Sequence, residues 1–298
     1  MSGLRRLRAA GRLGEDVALG PLTTYRFGGP ARYLVTIDGE QDLQDAFEIA
    51  TEEGLPVLPL GRGSNIVVAD AGFPGVVLRA GQGLSHRSIG EETVAGAAVP
   101  LPLLARDAAR KGRGGLEFYT GIPGSVGGAI RMNAGCHGTE TSDVLISVRV
   151  FDLETSIAGD RTGADLQLAY RHSNLGDSDF VIEARFATVE RPVAEAEETN
   201  RDIARWRREH QPGGTFNAGS VFKNPEGEAA GQIIDRLGLK GLGSGAVRVS
   251  DRHANFFEAG DGATARDMYS LVVEVQRRVR AETGIDLEVE IRFVGDFS

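Results

Sequence analysis

"LPLGRGSNIVVAD", residues 58–70, places a glycine-bearing turn between two short apolar runs. Gly61 and Gly63 lack a Cβ, so the backbone there is free to turn sharply or to approach a ligand closely. Consecutive main-chain N–H groups in such a turn can cradle a pyrophosphate, because each is a fixed donor. A tight structural turn explains the same spacing, and taken alone the stretch leaves both readings open. It does bear on the fold. A dinucleotide fingerprint of the G-x-G-x-x-G type needs a third glycine where this chain has Ile66. No G-x-x-x-x-G-K-[ST] phosphate loop occurs either.

Working outward, a second glycine-rich stretch is more unusual: "GLEFYTGIPGSVGGAIRMNAGCHG", residues 115–138. Pro123 stiffens its entry, and Gly121, Gly124, Gly127 and Gly128 remove side chains along it. It reads as a long loop followed by mostly apolar residues, suited to a large flat ligand with a phosphate tail. A buried crossover loop is the structural alternative. The chain has 41 glycines in 298 residues, about twice the usual ~7%. Two separated glycine loops without the dinucleotide signature point to a nucleotide-type cofactor held outside the Rossmann fold.

Periodicity supplies the elements between these loops. Leu43, Ala46, Phe47 and Ala50 in "DGEQDLQDAFEIATEEG" (38–54) predict a helix closed by Gly54. "PVLPL", "NIVVA" and "PGVVLRA" read as strands, and "PLPLLARDAARKG" as a helix with proline at its start. "LISVRVFD" (145–152) and "FVIEARFATVE" (180–190) read as strands. The second alternates Val181, Glu183 and Arg185 against Ile182, Ala184 and Phe186, which predicts one buried face. A charged helix follows from 191. Beyond it come a helix around 228–238, strands at 246–250 and 253–258, and a helix from Thr264. A final strand, "IDLEVEIRF", carries Glu288, Glu290 and Arg292 on its polar face.

Composition excludes several classes. A net charge of −9 disfavours sequence-independent nucleic-acid binding. No apolar run approaches the ~18 residues of a membrane span. Cys136 is the only cysteine, so no internal disulfide forms, which fits a reducing cytoplasm. The five histidines show no metal-ligand spacing, and no metal is expected. Arg5, Arg6, Arg8 and Arg12 read as a frayed, solvated N-terminal arm. Ser220 in "FNAGSVFKNP" (216–225) lacks nucleophile-elbow glycines, having Ala218 and Phe222 in their places; Ser125 has Pro123 on one side. Serine-hydrolase chemistry is therefore unsupported, and Phe216 and Phe222 suggest a partly dry pocket around the Ser220 hydroxyl.

Several blocks occur in one order: "TTYRFGGPARYL", "PLGRGSNIVVADAGFPGVVL", "GLEFYTGIPGSVGGAIRMNAG", "YRHS", "FNAGSVFKNP", "GLKG", "HANFFEAGDGATARD" and "LEVEIRF". In order and wording they resemble the UDP-N-acetylenolpyruvoylglucosamine reductases, flavoproteins of bacterial peptidoglycan precursor synthesis. The resemblance implies an α+β fold. A two-part FAD-binding module of the vanillyl-alcohol-oxidase type (1–80 and 81–190) would precede a C-terminal α+β substrate domain (191–298), whose last strand returns toward the module. It implies non-covalent FAD and NADPH as reductant. Tyr25, Arg26, Gly28 and Gly29 match the first FAD-contacting block. Gly61, Arg62, Gly63, Ser64 and Asn65 would grip the pyrophosphate. Gly121, Ile122, Pro123, Gly124, Ser125, Gly127 and Gly128 would run along the cofactor, with Asn133, Ala134 and Gly135 near it.

The resemblance also implies three catalytic groups: Arg171 in the Y-R-x-S block, Ser220, and Glu290 in the terminal block. Tyr170, Asn217 and Lys223 are the expected substrate contacts. In the family, hydride reaches the enolpyruvyl methylene carbon, Arg171 and Glu290 would steady the resulting enolate, and Ser220 would protonate it. Without the resemblance, Arg171 reads as a surface arginine and Glu290 as part of a solvated strand face. Three departures stand out. The segment between the arginine and serine blocks has no room for a substrate-capping insertion, as in the family's shorter second type. Ala259 and Val289 replace an asparagine and a proline that are common there. Two other classes fit glycine loops: an FAD oxidase acting on an alcohol or hydroxy acid, and a flavin-binding scaffold without chemistry. The serine and terminal blocks argue against the first, and the presence of Arg171, Ser220 and Glu290 together argues against the second.

Overall fold

A computed structural model of the chain describes residues 2–214 and 216–297. Where the sequence suggested three consecutive parts, packing gathers the residues into two units. The first holds the described residues up to Asp16, with Arg32–Arg62 and Gly75–Arg207; the second holds Val17–Ala31, Gly63–Pro74 and the described residues from Arg208 on.

The first unit contains two sheets. One orders its strands Leu13–Ala18, Pro30–Ile37, Phe73–Ala80, Val57–Leu60, with the last two parallel. The predicted helix forms over Glu40–Glu53, and Gly54 closes it in the left-handed region at φ 63°. Leu43, Ala46, Ile49 and Ala50 bury against that sheet's core, while Phe47 is only partly covered. The N-terminal arm is not frayed. Gly3–Ala9 is a helix whose Leu7 is buried in the same core. Arg6 reaches Asp45 through Nε at 2.9 Å and Nη2 at 2.7 Å, and Arg12 binds both oxygens of Asp42 at 2.5 and 2.7 Å. Four arginines hid the arm's apolar stripe, and seven helical residues are too few for periodicity to show it.

The other sheet is antiparallel, in the order Ile157–Arg161, Leu145–Asp152, Asp179–Ala187, Glu92–Gly96, Arg87–Ser88. Its third strand is not buried on one face only. The pairing slips between Arg149 and Val150, and the bulge exchanges faces. Val181, Ala184 and Phe186 join the core of helix Leu101–Arg110, whereas Phe180 and Ile182 join the core of helix Glu40–Glu53. The glycine-rich 115–138 stretch is likewise not a long loop. It folds as a 3-10 turn at Glu117–Gly121, a helix at Val126–Met132 and a short hairpin pairing Gly135–Cys136 with Thr139–Glu140. The amides of Val126 and Gly127 donate to the carbonyls of Val99 and Ala97, which fixes the start of that helix.

In the second unit Tyr25, Phe27, Val67, Phe222, Ile233, Phe257 and Met268 share one core. Helix Ala265–Thr283 buries Met268, Leu271, Val275 and Val279, the stripe read from the sequence. Thr264 and Asp267 cap it reciprocally, and Asp70 accepts the amides of Ala265 and Arg266 at 2.9 and 3.0 Å. The expected strand 253–258 begins only at Phe257, because Ser250 and His253 hold a turn: Phe256 N–H donates to the His253 carbonyl. The terminal stretch is a strand only over Arg292–Val294, which pairs in parallel with Ile66–Val68. Gly29 is required here, since a Cβ would stand 2.3 Å from the Asp70 carbonyl.

If the arm docks as described, Leu7→Ala costs about 2–5 kcal/mol, the range for truncating a buried leucine. Arg8→Ala, which removes an ion pair with Glu15 exposed on both sides, changes stability by under about 1 kcal/mol. Urea unfolding midpoints of the two variants give the comparison, and parity of Leu7→Ala with the parent protein would refute the docking.

Candidate active site

In the first unit, a cavity is lined by Leu60, Gly61, Ala97, Ser125, Gly127 and Gly128, among others. Helix Val126–Met132 buries Val126, Ala129 and Ile130 and turns its two glycines to this cavity. A Cβ on Gly127 would press on Ala97 at 3.2 Å, so packing explains that glycine. A Cβ on Gly128 would meet nothing closer than the Ser125 Oγ, at 3.8 Å. Packing does not require that glycine, and its absent side chain leaves main chain facing the cavity. A wall of backbone and small apolar groups fits a flat cofactor with a phosphate tail. Arg131 also lines the cavity, but its guanidinium donates to the carbonyls of Leu175, Gly176 and Asp179.

Arg171 sits in the same unit, in a tight reversal where Ala169 and His172 exchange backbone hydrogen bonds. Its φ is 52°, in the left-handed region that a non-glycine residue adopts at a cost. Nη2 donates to the Gly135 carbonyl at 3.0 Å, and the guanidinium lies 5.0 Å above the Tyr170 ring. Tyr170 is exposed. Cys136 is next to Gly135 in sequence. Burial raises its thiol pKa against the opposing pull of Arg207 and Arg171, which argues against a thiolate nucleophile.

Ser220 and Glu290 belong to the second unit, and an antiparallel ladder joins their segments. Lys223 N–H donates to the Glu288 carbonyl at 2.8 Å, Phe222 bridges Val289, and Glu290 N–H donates to the Val221 carbonyl at 2.7 Å. Two residues 70 positions apart thus lie at adjoining rungs of one ladder. Asn65 ties in the first glycine block: its side chain donates to the Glu290 carbonyl at 3.0 Å, and its own carbonyl accepts from Arg292 N–H. The Ser220 bridge to Phe256 completes the frame.

Other expected site residues have visible structural partners. Tyr25 is fully buried and stacks on Phe27 at 5.3 Å. Arg26 is exposed and donates to the Pro21 carbonyl. Gly28 and Gly29 press against Val68 and Asp70, and Gly63 against Leu22. Gly61 and Arg62 are exposed, whereas Ser64 is half-buried. Gly121 packs on Cys136, Ile122 N–H closes the 3-10 turn onto Tyr119, and Pro123 leads to Gly124, whose carbonyl accepts from Leu101. Ala134 N–H donates to the Ala129 carbonyl. Asn133 is buried, with its amide on Glu140 and Ala169. Asn217 Oδ1 accepts from Gly219 N–H in a local turn, and Lys223 Nζ lies 2.6 Å from Glu288.

The dry pocket expected from two phenylalanines is not built that way. Phe222 is a core residue edge-on to Phe257, and Phe216 is 44% exposed. Successive Val221 and Phe222 are both buried in the unit's core, so the Phe222 ring is taken up by packing. Two residues escaped the sequence reading. Asn255 is buried and binds both backbone groups of Phe222, at 2.8 and 2.9 Å. Glu140 lies 3.9 Å from Arg171. Asn255 lies in the quoted "HANFFEAGDGATARD" block without a signal of its own, and Glu140 had none beyond its closeness to the glycine stretch.

Comparison with known proteins fits this geometry. Residues 31–157, which include Gly61, Gly127 and Gly128, match the FAD binding domain family. The protein is therefore an FAD-binding oxidoreductase. Residues 211–294, which include Ser220 and Glu290, match the family described as UDP-N-acetylenolpyruvoylglucosamine reductase, C-terminal domain. A reductase of that name from Methylorubrum extorquens is 44% identical over 290 residues, covering 96% of this chain and 92% of the relative. One from Acidiphilium cryptum is 41% identical over 286 residues, covering 96% and 92%. The crystal structure of the Thermus caldophilus reductase superposes with a TM-score of 0.81 at 36% identity, covering 94% of this chain and 98% of that one. The chain belongs to the UDP-N-acetylenolpyruvoylglucosamine reductase family, and the expected α+β fold class holds.

Two outcomes follow. Gly128→Val leaves the unfolding midpoint of flavin-free protein nearly unchanged, since the space is open, but weakens FAD affinity by about tenfold or more, roughly 1.4 kcal/mol. Unchanged affinity in a flavin titration would remove this wall from the cofactor site. Beside the ladder, burial lowers the His253 pKa below its ordinary 6.5. As pH falls through that value the unfolded chain gains a proton that the folded one does not, so stability drops below about pH 6.5. His253→Gln flattens that decline in thermal unfolding measured across pH; an unaltered slope would exclude His253 as its source.

Proposed function

We propose that the protein reduces the enolpyruvyl group of UDP-N-acetylglucosamine enolpyruvate to give UDP-N-acetylmuramate, a peptidoglycan precursor, with NADPH as reductant. Family membership over nearly the whole chain supports this reading. The observation that carries it in the structure is the ladder that sets Ser220 beside Glu290 in register. FAD, bound without a covalent link, supplies the two-electron relay between nicotinamide and substrate.

The chain's own groups handle the charge and the proton. Hydride arriving at the methylene carbon breaks the C=C bond and pushes its electron pair toward the substrate carboxylate, as an enolate. Arg171 stabilises that growing negative charge, being permanently cationic and fixed by its hairpin. Glu290 acts as a protonated carboxyl donating a hydrogen bond to the same oxygens, which requires a raised pKa. Ser220 gives its proton to the enolate carbon and completes the lactyl ether. A hydroxyl is a weak acid, and Lys223, three residues on with its Nζ on Glu288, is the nearby group assigned to its support. In the reading of Tyr170 and Asn217 as substrate contacts, Tyr170 offers an exposed ring beside the arginine. The segment 191–298 serves as the substrate domain, without the capping insertion of the longer relatives.

Anaerobic half-reactions test this. Purified protein carries an oxidised flavin band, NADPH bleaches it, and the enolpyruvyl sugar nucleotide restores it. Restoration by oxygen alone would favour an alcohol or hydroxy-acid oxidase and overturn the proposal. Ser220→Ala leaves bleaching by NADPH within about twofold and slows restoration by substrate at least about 100-fold, the scale of a lost general acid. Equal slowing of both halves would remove Ser220 from proton donation.

A further inference from the structure

We propose that Glu140 is the positioning residue for Arg171, holding its guanidinium in the orientation that meets the substrate carboxylate. The inference rests on the reading of Arg171 given above. It starts from the hairpin that pairs Gly135–Cys136 with Thr139–Glu140, in which Glu140 stands directly opposite Gly135. Both residues of this rung face one cation. The Gly135 carbonyl accepts from Arg171 Nη2 at 3.0 Å, and Glu140 Oε1 lies 3.9 Å from Arg171 Nη1. A Cβ at position 135 would come within 2.7 Å of Glu140 Cγ, so the glycine lets the glutamate stem lie flat across the ladder.

The other carboxylate oxygen is anchored. Glu140 Oε2 accepts from Asn133 Nδ2 at 2.9 Å, and the same amide donates to the Ala169 carbonyl at 3.1 Å, two residues before Arg171. Asn133 Oδ1 accepts from Ser142 N–H at 2.8 Å, two residues after Glu140. One buried carboxamide therefore ties the segment bearing the glutamate to the hairpin bearing the arginine. The arrangement answers two physical needs. A guanidinium only 19% exposed needs a counter-charge to offset its lost hydration. A catalytic cation must also stay available to an incoming anion. At 3.9 Å the carboxylate attracts the cation as an ion pair rather than gripping it as a short bidentate fork.

Flavin-loaded Glu140→Gln protein tests the role by stopped flow, with FAD retention read from the visible spectrum. The amide keeps an acceptor for Asn133 and removes the charge. The expected result is unchanged flavin retention, reduction by NADPH within about twofold of the parent, and reoxidation by the enolpyruvyl substrate slowed about tenfold or more. On an Arg171→Ala background the same change adds less than about twofold, because Glu140 acts through the arginine. A parental reoxidation rate in Glu140→Gln, equal loss in both half-reactions, or full additivity with Arg171→Ala overturns the proposal. If Arg171→Ala itself leaves reoxidation unchanged, the reading of Arg171 fails first, and the Glu140 role falls with it. Should Glu140→Gln lose its flavin, Glu140→Asp replaces it, with the charge kept and drawn back by one methylene. Slowed reoxidation with intact reduction then sustains the proposal, and a parental rate overturns it.

Discussion

Much of the second unit depends on how the backbone of Phe222 is held. The side chain of Asn255 accepts from its N–H and donates to its carbonyl, so a carboxamide stands in for a neighbouring strand. On either side, Val221 and Lys223 take their partners from main chain: Val221 N–H donates to the Asn255 carbonyl, and Lys223 N–H to that of Glu288. Removing the carboxamide would strand two buried backbone groups, each at a cost of about 1–3 kcal/mol. The Phe222 ring, fully buried edge-on to Phe257, adds the apolar half of the anchor. A slip of one residue would turn that ring outward and carry Ser220 off its rung. Burial thus fixes register, and register sets where the hydroxyl sits relative to Glu290.

Charge in the first unit follows a related rule. Buried or half-buried ions there have specific partners rather than a general field. Asp42 and Asp45, among the most buried carboxylates, take Arg12 and Arg6 from the N-terminal arm. Buried Glu117 takes Arg191 at 2.8 Å. These close pairs hold segments together, and losing one partner would leave an uncompensated charge in low dielectric. The 3.9 Å spacing of Arg171 and Glu140 differs in kind. It is an ion-pair distance rather than a short bidentate contact.

Legibility from sequence divided along physical lines. Helices Glu40–Glu53, Leu101–Arg110 and Ala265–Thr283 were readable because long amphipathic stripes and end signals agree. Ile66 weakened the dinucleotide fingerprint, and the second glycine stretch then pointed away from the Rossmann fold. What failed had no local signature. Ile182 is an extra residue opposite the Arg149–Val150 step, and this bulge gives strand Asp179–Ala187 two buried faces that plain alternation does not encode. The terminal strand shrank to Arg292–Val294 because, of the residues just before it, Val289 pairs only as an isolated bridge to Phe222. The ordered blocks drew attention to Ser220, Glu290 and Arg171, yet side chains packed beside these segments carry no local signature. Asn255 binds Phe222, 33 residues away, and Glu140 lies beside Arg171, 31 residues away.

Glycine content illustrates why a strong compositional signal can still be ambiguous. Gly29, Gly63 and Gly72 have carbonyls within 2.0–2.3 Å of where a Cβ would stand, so chain packing alone demands them. Such glycines say nothing about a ligand, although they fall in the very blocks that suggested one. Gly128 is the opposite case. It lies in the first turn of a helix, where alanine would be the more stable choice by roughly 0.5–1 kcal/mol, and no protein atom crowds it. A residue that gives up helix stability without gaining packing needs another cause, and a cofactor laid against the main chain is such a cause. The informative quantity is therefore the space each missing side chain leaves. By that measure Gly128, beside the cavity that also touches Gly61 and Ser125, carries more of the cofactor argument than the motif in which the glycine pattern is easiest to see.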